Sequence, residues 1–91
     1  MAKLSDKYLK TKRRALTRAE LEVAITNAVR ASDPECSIFV GVIVERIIPR
    51  SRAEASWTVK GIRYGRADRS QCDAALAKVL KPLQFEFDVS D

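Results

Sequence analysis

Nucleophiles and proton-transfer groups are scarce in this chain of 91 residues. It contains no histidine, so general acid–base or nucleophilic catalysis would fall to carboxylates, lysines or the two cysteines. Cys36 and Cys72 form neither a CxxC pair nor a Cys/His zinc pattern, and they read as separate reduced thiols. Cys72 falls on an apolar helical stripe and reads as core, while Cys36 stands beside a loop. The acids Glu20, Glu22, Asp33, Glu35, Asp68 and Asp73 show no EF-hand, DxD or HExxH spacing. Gly41, Gly61 and Gly65 build neither a P-loop nor a GxGxxG. The sequence therefore predicts a non-enzymatic protein with no metal, no cofactor and no small-molecule ligand.

The remaining chemistry is electrostatic. Lys3, Lys7, Lys10, Lys12, Arg13, Arg14 and Arg18 stand against Asp6 alone, a net of +6 in the first 18 residues of a chain whose total is +5. The body from residue 19 onward is thus close to neutral, at −1. Lysine and arginine in such a segment can displace counterions from phosphate, giving salt-dependent affinity for nucleic acid without sequence preference. Lys7, Lys10, Lys12, Arg13 and Arg14 are the candidate phosphate contacts in this arm. Arg63, Arg66 and Arg69 of "GIRYGRADRS" are candidate anion contacts around the start of a helix, together with Tyr64 and Ser70. Against that reading, Asp68 is placed to cap the same helix and the arginines then form a solvated rim. Leu4, Tyr8 and Leu9 could also make one apolar side of a short helix from Ser5 to Arg14, able to dock on the body or on an anionic surface.

These residues need elements to hold them. "TRAE" at 17–20 is a capping box, and Leu21, Ala24, Ile25, Ala28 and Val29 recur at helical spacing until "SDPE" stops the pattern, which predicts a helix over about 18–31. "IFVGVIV" from Ile38 to Val44 is β-branched and apolar on both faces, a strand ended by Pro49. "ASWTVKGIRY" alternates Trp57 and Val59 with polar residues as a second, half-buried strand, and the parity break at Gly61 suggests a bulge. Asp68 then caps a second helix whose buried face is Cys72, Ala75, Leu76, Val79, Leu80 and Leu83. The period-two pattern of Leu83, Phe85, Phe87 and Val89 competes with a helix that continues to Phe87, and Pro82 inside the helix favours a stop near Leu80 and a third strand.

The order α-β-β-α-β predicts an α+β domain over residues 17–91, a small, mainly antiparallel three-stranded sheet with two helices on one face, preceded by a basic arm over residues 1–16. A first strand apolar on both faces leaves side chains uncovered. Phe39, Val40, Val42, Ile43 and Trp57 are accordingly the candidate interface for a protein partner or a second copy, with nucleic-acid contact through the arm as the alternative. The longest apolar run is too short to span a bilayer and no apolar segment follows the basic start, so no membrane span is expected and the location reads as cytoplasmic.

Overall fold

The computed structural model describes residues 13–51 and 53–91. Its elements are β1 (Arg14–Leu16), α1 (Arg18–Ser32), a 3-10 turn (Pro34–Cys36), β2 (Gly41–Arg46), β3 (Trp57–Arg63), α2 (Arg69–Glu86) and β4 (Phe87–Val89). The fold is α+β, as expected, and the described residues form two helices, but their strands make two separate two-stranded sheets in place of one three-stranded sheet.

The helix starts follow local chemistry. The Thr17 hydroxyl accepts from the Glu20 amide while the Glu20 carboxylate accepts from the Thr17 amide, so two donors at the start of α1 are satisfied reciprocally. At the other end Asp33 is extended, as the residue before a proline must be, and its side chain caps the 3-10 turn. Asp68 accepts from the Gln71 amide and starts α2.

β2 and β3 pair antiparallel as a hairpin. Ile43 faces Gly61 and Val44 faces Val59, so Lys60 is the extra residue of a bulge beside Gly61. That parity change explains how one ribbon turns Trp57 inward and still carries Ile62 against the core.

The third strand departs from expectation. α2 runs through Pro82 to Glu86, and only Phe87–Val89 is extended. Pro82 forfeits the bond to the Lys78 carbonyl, yet both residues lie on the exposed side of the helix, where solvent can satisfy that oxygen. On the opposite side Leu80 and Leu83 pack against the core, the Gln84 side chain donates to the Trp57 carbonyl at 2.8 Å, and the Phe87 amide closes the last turn on the Leu83 carbonyl. The short β4 joins not the hairpin but β1, in parallel, with Arg14 opposite Phe87 and Leu16 opposite Val89. Residues 13–16, read from sequence as the end of the arm, therefore belong to the folded body.

The core lies between α1, α2 and the hairpin. Leu21, Ile25 and Val29 of α1 meet Phe39, Val42, Val44, Trp57, Ala75 and Leu76. Thr26 is buried beside them, its hydroxyl returned to the Glu22 carbonyl. Cys36 and Cys72, expected as separate reduced thiols, are joined as a disulfide with a Cα–Cα distance of 5.6 Å. The 3-10 turn brings Cys36 inward to the first turn of α2, a juxtaposition across 36 residues that the spacing of two cysteines does not reveal. Among the described residues no helix is long and apolar enough to cross a membrane.

Candidate functional site

The five residues expected at an interface are divided by the fold. Phe39 and Trp57 are fully buried and Val42 nearly so, which removes them from the surface of a single chain. The reason is that regular pairing begins only at Gly41: Phe39 precedes the strand and drops into the core on the same side as Val42 and Val44. The Trp57 indole is further fixed by donating to the Phe87 carbonyl at 2.9 Å. Ile43 is half-buried across Gly61, and Val40 remains 51% exposed.

Val40 shares a groove with residues that hydropathy alone did not single out. An open cleft of about 440 Å³ runs between α1 and β2, lined among others by Val23, Val40 and Gly41, with Glu22, Arg30 and Arg63 supplying charge. Val23 is 60% exposed on α1, off the buried stripe of its helix. Ile38, 56% exposed, lies two residues before Val40. The signal for Val23 was present in the sequence as an apolar residue out of phase with Leu21, Ile25 and Val29, but a single such residue carries little weight by itself.

The polar members of the groove are held in place. The Val44 amide donates to Glu22 Oε2 at 2.8 Å, so the carboxylate closes part of the outer edge of β2. Arg30 Nε donates to the Phe39 carbonyl at 2.7 Å, which anchors the guanidinium plane while its terminal nitrogens have no partner among the described residues. Arg63, the last residue of β3, accepts from the Val40 amide through its carbonyl and has no side-chain partner among the described residues.

The candidate phosphate contacts are also redistributed. Lys7, Lys10 and Lys12 lie outside the described residues. Arg13 is built into the fold, with a side chain only 9% exposed. Its Nε donates to the Phe85 carbonyl at 3.1 Å, and its terminal nitrogens donate to Glu54 and Ala53 carbonyls at 3.3 and 3.2 Å, with Asp88 at 3.8 Å. It thereby ties β1 to the hairpin loop and to the end of α2. Arg14 lies over the Phe87 ring at 5.7 Å and Arg69 over the Tyr64 ring at 5.2 Å. Arg63 and Arg66 remain exposed.

Around Tyr64 the fold makes one further cluster. The Tyr64 hydroxyl donates to Asp73, while its ring meets Phe39 edge-on at 6.2 Å. The hydrogen bond to Asp73 is the main cause holding the phenol above its ordinary value of 10.0; partial desolvation and the Asp73 charge act the same way, and Arg69 opposes them. Such a phenol stays protonated at neutral pH and serves to bind α2 to the turn after β3.

Comparison with protein-family models, curated proteins and solved structures gives no match for this chain.

Proposed function

We propose that the protein is a non-enzymatic interaction module that binds a protein partner through the groove between α1 and β2. The observation carrying this reading is the pair Val23 and Val40, both more than half exposed and both lining one cleft. Apolar side chains scattered singly over a surface need no explanation, whereas two that line one concave site provide an anchor for an inserted side chain. An extended segment laid along β2 would meet this anchor with its backbone beside Gly41.

The double substitution Val23→Ser/Val40→Ser removes the anchor without adding charge. Affinity capture from the source cells, quantified against this variant, should lose specific partners, while the urea midpoint of the variant stays close to that of the original chain. Sedimentation velocity on the same pair reports whether the partner is a second copy. Identical capture profiles and identical sedimentation for both proteins would end the reading.

Association with nucleic acid is the second reading, and one observation favours it. Glu20, Glu22, Asp33, Glu54 and Asp68 each accept from a backbone amide, Asp73 and Asp88 accept from side-chain hydroxyls, and Asp91 accepts from the Arg18 amide. With so many carboxylates engaged, Arg46, Lys60, Arg63 and Arg66 have no ion-pair partner among the described residues and add to the basic N-terminal arm. Fluorescence anisotropy with mixed-sequence DNA and RNA should then show affinity that falls as salt rises and is lost on deletion of residues 1–12. A cytoplasmic location would require the Cys36–Cys72 pair to be maintained against cellular reductants, and the joined pair fits an oxidising compartment better.

A further inference from the structure

We infer that the groove between α1 and β2 takes an extended, acidic and apolar peptide segment of a partner protein, an inference that rests on the proposed binding role of the same groove. Its charge is one-sided. Glu22 is the only carboxylate among the described residues lining the cleft, and it accepts from the Val44 amide. Arg30 and Arg63 line the same cleft, and neither has an ion-pair partner among the described residues. Arg30 is already oriented by its bond to the Phe39 carbonyl, so its free nitrogens are held in position before any partner arrives. Two guanidinium groups beside an apolar anchor match a segment that carries carboxylates next to branched apolar side chains, the carboxylates taking the guanidinium donors and the apolar side chains the valines.

The chain's own segments are poor occupants. Residues 1–12 carry four lysines and one aspartate and would be repelled by Arg30 and Arg63. The acidic C-terminal stretch is engaged elsewhere, because Asp88 accepts from Ser56 and Asp91 accepts from the Arg18 amide and pairs with its side chain at 3.7 Å. The occupant indicated by charge complementarity is therefore a separate acidic chain.

The test uses amide NMR spectra of the full chain with three probes: an acetylated, amidated peptide alternating valine with glutamate and aspartate, its lysine counterpart, and a short mixed-sequence DNA duplex. The acidic peptide should shift amides of Val23, Thr26, Asn27, Arg30, Val40 and Gly41, and the lysine peptide should not. Arg63→Glu should weaken the acidic peptide by about tenfold or more, with Arg63→Lys intermediate because a lysine retains the charge but not the bidentate fork. Unchanged tryptophan fluorescence in the variants confirms the fold. Equal shifts from both peptides, shifts from DNA alone, or indifference to Arg63→Glu would overturn the inference. If Val23→Ser/Val40→Ser still abolishes partner capture in those cases, the groove remains a protein site and only the acidic class of occupant is rejected.

Discussion

Opening the Cys36–Cys72 disulfide should remove a large part of this protein's stability. The bond closes a loop of 36 residues between two buried side chains. In the chain-entropy description, a loop of that length restrains the unfolded ensemble by about 13 cal/mol/K, or about 4 kcal/mol near room temperature. A domain of this size has only about 5 to 10 kcal/mol in total, so the reduced form should be marginal. Trp57, fully buried and the only tryptophan, is the natural reporter of unfolding. With a urea slope of about 1 to 2 kcal/mol per molar, the midpoint should fall by about 2 to 4 M when the chain is reduced under denaturing conditions and refolded with reductant. The same chain refolded without reductant is the control, and the Cys36→Ala/Cys72→Ala variant should behave like the reduced form with a small extra loss from packing. An unchanged midpoint, or two free thiols in the unreduced chain when it is unfolded, would refute the reasoning.

Three further outcomes follow from individual contacts. Arg13→Lys should cost about 2 kcal/mol in urea unfolding, because a single ammonium cannot serve the carbonyls of Ala53, Glu54 and Phe85 together; a loss under about 0.5 kcal/mol would show that the buried fork contributes nothing. Gly65→Ala should cost about 1 to 2 kcal/mol, since Gly65 has φ +59° and an added Cβ would lie 2.5 Å from Val40 Cγ2, and combining it with Val40→Ala should recover part of the loss. Ultraviolet titration should place Tyr64 above 10.0 with the shift abolished by Asp73→Asn; because the folded value is the raised one, its contribution to stability is intact below 10.0 and is lost as pH climbs through the folded value.

Much of the local structure is encoded by neighbouring residues. Thr17 with Glu20 starts α1 and Asp68 starts α2, because a cap is a contact over three positions. The buried stripe Leu21, Ile25 and Val29 and the bulge beside Gly61 are likewise written in period and parity. Pro82 misleads because its cost depends on where the orphaned Lys78 carbonyl faces, and that is known only once α2 has a wet side and a dry side.

The candidate site was less legible. A strand apolar on both faces implies an uncovered surface, but its parity relative to the core cannot be counted from inside the strand, so the sequence leaves both faces as candidates, and only the fold buries Phe39, Val42 and Trp57 while leaving Val40 half exposed. The groove residues come from separate stretches, Val23 and Arg30 from α1, Val40 from just before β2 and Arg63 from the end of β3, and no single stretch joins them.

By itself the sequence determined the α+β class, the helix caps, two consecutive strands with a bulge at Gly61, and the concentration of positive charge in the first 18 residues, all consequences of local hydrogen bonding, periodicity and charge. Only the tertiary structure decided that Arg14–Leu16 pairs with Phe87–Val89, that Arg13 is a buried strut, and that Cys36 meets Cys72. These contacts join positions far apart in the chain, and their free energy exists only after the hydrophobic core has brought α1, α2 and the hairpin together.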